Sequence, residues 1–196
     1  MPYNVEPLRT KIEIDDFLFC LRRTANPERD SFLFLLGINT GLRMSDIVKL
    51  QVKTIRYSVR PVIIEQKTGK RKILYLDNMQ ELIGKYIDGR EDDEFLFPSK
   101  KGGHLTVNAV YKIFQRVANT LDREDIGTHT LRKTFGYHYY KKTRDVATLM
   151  ELFNHSSERV TKKYIGINAD EIGNSLEGFH LGFWFLRILV YHILIM

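Results

Sequence analysis

Between residues 11 and 23, apolar side chains recur at Ile12, Ile14, Phe17, Leu18 and Leu21 with polar residues between them. This spacing predicts an amphipathic helix, and Thr10 stands at its N-cap position. Cys20 reads as ordinary core. Pro27 suits the first turn of a second helix, which runs to about Asn39 with Phe32, Leu33, Leu35 and Leu36 inward. Gly41 ends that helix as a C-cap. Residues 41–50, G-L-R-M-S-D-I-V-K-L, then predict a short helix.

The period changes after Val52. Residues 54–58, 61–65 and 72–76 are rich in Val, Ile and Tyr, with Gly69 between the last two. They predict a small antiparallel sheet of three strands. Helical pattern returns at 78–87. It returns again from a Thr106 cap to about Leu121, with Val110, Ile113, Phe114 and Val117 inward, then from Thr128, and over 146–153. Residues 95–98, F-L-F-P, read as a short buried strand or anchor, and 168–176 as a short helix.

The most informative interruption lies in residues 151–166, E-L-F-N-H-S-S-E-R-V-T-K-K-Y-I-G. On one continuous helix, nine residues at about 100° each would put His155 and Tyr164 on opposite faces. Ser156 and Ser157 are good N-caps, and Glu158 follows them as helix-start chemistry. A helix therefore ends near Phe153, the chain turns, and a second short helix carries Tyr164. Only with that turn can the two rings face a common point.

Composition narrows the partners. A chain of 196 residues with 43% hydrophobic content can bury the core of one domain. A net charge of +6 favours a polyanion, nucleic acid before membrane. One cysteine allows no intramolecular disulfide and no cysteine metal cage, and it fits a reducing cytoplasm. The N-terminus carries no apolar secretory segment. The run Glu91-Asp92-Asp93-Glu94 reads as a solvated loop, because nothing nearby supplies further metal ligands. Gly69-Lys70 is not a phosphate-binding loop, since Ile64 occupies the upstream glycine position. The tail 179–196 is intensely apolar, yet slightly short of the roughly 20 residues that span a bilayer. Arg187 and His192 interrupt it, so packing against protein is expected rather than membrane insertion.

Candidate chemistry is scattered along the chain. Arg43 and Asp46 lie three apart on one helical face and read singly as an ion pair. Lys67 enters the Thr68-Gly69-Lys70 turn and reads singly as a solvated hairpin lysine. His129 and Arg132 share a face. Lys133, Lys141, Lys142 and Arg144 interleave with Tyr137, Tyr139 and Tyr140. Taken in order, Arg43 in T-G-L-R-M-S-D, Lys67 in Q-K-T-G-K, His129 and Arg132 in H-T-L-R, His155 in N-H-S-S and Tyr164 nine residues later form a pattern. Over roughly residues 8–175 that pattern resembles the catalytic domain of the tyrosine recombinases, or phage integrase family. Three departures stand out. Phe153-Asn154 precedes His155 where the family usually has Leu-Gly, and Asn is expected to keep the turn because it tolerates the left-handed conformation. The tail is more apolar than a typical family C-terminus. The family's N-terminal core-binding domain has no counterpart, and residues 1–9 read as a remnant of its linker.

The resemblance implies an α+β fold, mostly helical, with a three-stranded antiparallel sheet at one edge. Residues 10–178 would be the catalytic domain and 179–196 a C-terminal tail. The implied function is site-specific DNA recombination, as by the integrase or transposase of a mobile element. Tyr164 would attack the scissile phosphate to give a 3′-phosphotyrosyl intermediate and a 5′ hydroxyl. Arg43 and Arg132 would clamp non-bridging oxygens, His129 and His155 would hydrogen-bond the phosphate, and His129 could assist proton transfer. Lys67 would protonate the leaving oxygen. Asp46 would orient Arg43 or its neighbours. Lys133, Lys141, Lys142, Lys162 and Lys163 are expected DNA contacts. No metal or other cofactor is implied. Expected partners are double-stranded DNA and further protomers, a tetramer on DNA, with the tail either docked in trans or folded back onto its own domain, with no membrane and a cytoplasmic location. A type IB-like DNA topoisomerase and a catalytically silent DNA-binding protein remain the alternatives.

Overall fold

Helix starts are set by side chains standing where the sequence places them. Thr10 accepts the Glu13 N–H, and the Glu13 carboxylate accepts the Thr10 N–H in return, so a capping box opens α1 (Lys11–Leu21). Pro27 sits in the first turn of α2 (Pro27–Thr40). Thr106 caps α6 (Val107–Thr120) by accepting from Ala109 N. In this computed structural model the described residues are 5–167 together with Leu176, Glu177, Phe179 and Leu181. The chain divides into two units, Met1–Gly166 and Ile167–Met196. All elements named below belong to the first. The expected helix over 168–176 and the tail 179–196 lie almost wholly outside the described residues. Among those residues, no helix is long and apolar enough to cross a membrane.

Helices dominate. After α2 come α3 (Met44–Ile47) and α4 (Val52–Arg56), then β1 (Val62–Ile64) and β2 (Arg71–Ile73). A 3-10 turn (Asp77–Met79) leads into α5 (Gln80–Ile87), and beyond α6 lie α7 (Thr130–Thr143), α8 (Val146–Phe153) and α9 (Glu158–Tyr164). Residues 5–9 form no helix or strand but are pinned to α7. Leu8 N donates to Thr134 Oγ1 at 2.9 Å, and His138 Nε2 lies 2.9 Å from Leu8 O.

The sheet has two strands, not the expected three. β1 and β2 pair antiparallel, with Val62 opposite Ile73, Ile63 opposite Lys72 and Ile64 opposite Arg71. The stretch 54–58 contributes no strand, because Val52 and Ile55 turn inward together at helical spacing. The first N–H groups of α4 are then satisfied by the acidic loop: Val52 N donates to Glu94 O and Lys53 N to Asp92 O. The short helix expected over 41–50 shrinks to the four residues of α3.

The core sits between α1, α2 and α6. The rings of Phe17 and Phe34 stack 4.9 Å apart, and Phe114 meets Phe17 edge-on. A second aromatic group, Phe32, Tyr86 and Phe97, fixes α5 and the 95–98 segment, whose Leu96 and Phe97 are fully buried. Ile12 was expected inward on α1 but is 71% exposed, so the buried stripe is Phe17 and Leu21.

Candidate active site

Arg132, from the first turn of α7, lies at the centre of the constellation. Its side chain is almost fully buried. Nη1 donates to Gly41 O at 2.7 Å and Nη2 to Phe153 O at 3.0 Å, and the guanidinium lies 4.3 Å from the centre of the Phe153 ring. A buried charge needs such partners. Gly41 supplies its carbonyl from a left-handed C-cap at φ 60°, with Phe135 packed where a Cβ would stand. Gly136 lets α7 approach α8 and Ile165, since a Cβ there would come within 2.6 Å of Ile165 and 2.8 Å of Phe153. Two glycines thus bring three separate chain segments onto one arginine.

The turn predicted between His155 and Tyr164 is present. α8 ends at Asn154, which adopts the left-handed conformation (φ 53°, ψ 47°), as expected of Asn in place of Gly. Ser157 then caps α9, accepting from Val160 N. The His155 and Tyr164 rings meet edge-on with centroids 5.1 Å apart. His155 Nδ1 lies 3.1 Å from the hydroxyl of the fully buried Thr161. On the other side of the tyrosine, His129 Nδ1 is 3.1 Å from the Tyr164 hydroxyl.

Burial raises the Tyr164 phenol above its ordinary value, against the downward pull of Arg132 and Arg43. Both histidines are pushed down, mainly by burial. Arg132, Lys133, Lys67 and Arg43 add to this for His129, and Arg132 and Arg43 for His155. His129 nonetheless remains open to solvent. A neutral His129 can accept the phenol hydrogen through Nδ1, while the two arginines favour the phenolate that would result.

The Arg43–Asp46 ion pair does not form. Arg43 Nη1 instead lies 2.9 Å from Glu65 Oε1, close but not aligned as a hydrogen bond. Asp46 turns its Oδ1 to the backbone N–H of Gln66, at 2.8 Å, and so braces the strand end next to Lys67. The physical reason is reach. The exit of β1 runs over α3 and offers Arg43 a fully buried carboxylate and Asp46 a free N–H. Lys67 itself is exposed in the turn, near enough to His129 to lower its pKa.

Two residues escaped the sequence reading. Glu65 and Lys72 occupy inward positions of the hairpin, on the side of Ile63 and Leu74. Charged residues at the inward beat of a period of two were the available signal. Lys72 Nζ donates to Leu152 O at 3.0 Å, and its pKa is lowered to about 8, chiefly by burial and then by Arg132. Arg43, Lys72 and Arg132 against Glu65 and Asp46 leave the site net positive.

Among the lysines expected to touch DNA, Lys141, Lys142 and Lys163 are exposed, and Lys162 pairs with Glu158 at 3.2 Å. Lys133 is turned inward. Its ammonium donates to Val5 O and lies 5.5 Å from the Tyr164 ring centre, so it belongs to the site rather than to the outer surface.

The phage integrase family model matches residues 10–171. The probable integrase/recombinase YoeC of Bacillus subtilis is 41% identical over 169 residues, covering 85% of this chain and 92% of that protein. The tyrosine recombinase XerC of Oceanobacillus iheyensis is 25% identical over 170 residues, covering 80% of this chain and 56% of the relative. A crystal structure of XerA recombinase superimposes with a TM-score of 0.68 at 13% identity, over 92% of this chain and 66% of that one. XerH site-specific recombinase bound to palindromic difH substrate gives 0.65 at 21% identity, over 88% and 53%. The chain thus spans nearly all of the first relative but about half the length of XerC and XerH.

Proposed function

This chain belongs to the phage integrase family, and from that premise we propose that it cleaves and rejoins DNA at specific sites through a covalent bond to Tyr164. The observation that carries the reading is the Tyr164 hydroxyl held 3.1 Å from a histidine nitrogen beside a buried, net-positive arginine cluster. DNA strand exchange without an external energy source must conserve the phosphodiester bond, and a tyrosyl ester does so.

In this reading the Tyr164 oxygen attacks the scissile phosphorus as His129 takes up the phenol proton. The bond to the 5′ oxygen breaks, and Lys67 gives that oxygen a proton. Charge building on the non-bridging oxygens meets Arg43 and Arg132, with His155 as a further donor. Arg43 Nη1 is buried against Glu65 Oε1 at 2.9 Å, a contact that would fix the guanidinium beside the phosphate. A second DNA 5′ hydroxyl attacks the phosphotyrosyl bond in reverse, releases Tyr164 and seals the strand. Lys141, Lys142 and Lys163, which are exposed, would meet the DNA backbone.

The test is denaturing electrophoresis of the chain with fragmented DNA from its source genome. The parent should yield a covalent protein–DNA band. Tyr164→Phe should abolish the band while leaving DNA retention in a gel-shift titration unchanged. A band that survives Tyr164→Phe overturns the reading. Assembly of several protomers on DNA, with residues 179–196 docked on a neighbour, completes the proposal. Removing those residues should lower the mass of the complex in light scattering on DNA, and an unchanged mass removes the docking.

A further inference from the structure

The hairpin turn that carries Lys67 has a fully buried carboxylate at its base, two residues away. Glu65 Oε2 accepts from the Thr68 hydroxyl at 2.8 Å and from Asn154 Nδ2 at 3.1 Å, while Oε1 faces Arg43 at 2.9 Å. The backbone of Glu65 closes the same turn, its N–H donating to Lys70 O and its carbonyl accepting from Gly69 N, both at 2.9 Å. Lys70 Nζ reaches Asn154 Oδ1 at 3.2 Å, so the far side of the turn is tied to the same asparagine. Asn154 immediately precedes His155. One side chain therefore links the exposed lysine loop, the arginine of α3 and the histidine turn after α8.

We propose that Glu65 is a positioning residue for the cleavage step, holding the 66–70 turn so that Lys67 reaches the leaving 5′ oxygen. The inference rests on the reading of Lys67 as the proton donor. An exposed lysine on a two-stranded hairpin is free to sweep through solvent, and a general acid must stand within hydrogen-bond reach of the atom it protonates. Nothing in the turn is apolar enough to fix it by burial, since residues 66–70 are all exposed. Its fixed points are the bonds to Glu65 and Asn154, the Gln66 N–H held by Asp46, and the Gln66 Oε1 that accepts from Lys49 Nζ at 2.6 Å on the outer side. The carboxylate is suited to this task because, against burial, the Thr68 hydrogen bond and then Arg43 and Lys72 hold its pKa down, and an ionised carboxylate accepts several donors at once.

The role separates from a merely structural one by leaving-group chemistry. With sulfur in place of the bridging 5′ oxygen, the P–S bond breaks to release a thiolate that needs no proton, because a thiol pKa is about 8.5. Single-turnover adduct formation is measured on a nicked duplex bearing the cleavage site mapped from DNA that the chain captures covalently. On ordinary phosphate, Glu65→Gln should be slower by roughly tenfold to a hundredfold, part of the about 10²–10⁴ a general acid contributes. On the sulfur substrate it should recover to near the parent rate, as Lys67→Ala should. If Lys67→Ala recovers and Glu65→Gln does not, Glu65 acts elsewhere and the inference is overturned. If Lys67→Ala does not recover, the reading of Lys67 falls and this inference with it.

A second measurement needs no DNA. Amide hydrogen exchange at residues 66–71 should accelerate in Glu65→Gln. It should also accelerate in Thr68→Ala, at amides besides that of Lys70, since this change removes the bond to Glu65 and the acceptor of the Lys70 N–H from an exposed position without leaving a charge unpaired. Unchanged protection of those amides in Thr68→Ala, with Glu65→Gln folded and equally protected, would sink the proposal.

Discussion

Lys72 stores a measurable cost of building a positive site. Its ammonium lies beneath Arg132 and Arg43, with Leu152 O as hydrogen-bond partner, and its pKa falls from 10.5 to about 8. The unfolded chain therefore binds more protons than the folded one between about pH 8 and 10.5, and unfolding becomes harder as pH rises through that window. At about 1.4 kcal/mol per tenfold change, the displacement corresponds to a gain of at most about 3.5 kcal/mol across the window, absent below it. Urea unfolding followed by circular dichroism at several pH values gives the parent curve. Lys72→Met, which keeps the stem and removes the charge, should lose this rise, so the stability of the parent minus that of the variant should increase by up to about that amount as pH rises from about 8 to 10.5. Parallel curves would show that the ammonium is not held in a hostile environment and would refute the reasoning. Inorganic phosphate, by adding negative charge beside the arginines, should raise the Lys72 pKa and flatten the parent curve.

Other predictions follow from the same contacts. Arg43→Ala should cleave slowly on both ordinary and 5′-sulfur DNA, because its target oxygens are untouched by the sulfur, and recovery on sulfur would contradict a clamp role. Asn154→Ala should lower stability by about 1 kcal/mol or more, since a β-carbon resists the left-handed conformation, whereas Asn154→Gly should cost less. Equal losses in thermal melting would mean that the bond to Glu65, not the backbone, sets the cost. Phe114→Ala should cost about 3–5 kcal/mol, as for a fully buried ring packed edge-on against Phe17 of α1, and a loss below about 1 kcal/mol in urea unfolding would contradict its place in the core.

The helices were legible because their signals are local. Thr10, Pro27, Gly41, Thr106 and Ser157 each perform the terminal role that their chemistry suggests. The break between His155 and Tyr164 followed from an angle, and the left-handed Asn154 confirms how the chain turns there. The third strand failed because β-branched composition at 52–58 masked a helical beat, which contacts to the acidic loop then stabilise. Arg43 was assigned the carboxylate nearest in sequence, whereas the fold supplies one 22 residues away, just past β1, a pairing between distant segments that no local pattern reveals. Lys133 was counted among outward lysines, because helix periodicity does not show that residues 5–9 cross its face.

The central claim is that Tyr164, and no other tyrosine, becomes joined to DNA. Tyr137, Tyr139 and Tyr140 lie on α7 close by in sequence to His129 and Arg132, and Tyr137 is buried against Arg9 and Lys141. Proteolysis of the covalent protein–DNA product, followed by mass spectrometry of the nucleotide-bearing peptide, identifies the attached residue directly. A modified peptide from α9 carrying the nucleotide on Tyr164 is the predicted result; a nucleotide on any α7 tyrosine would contradict the account.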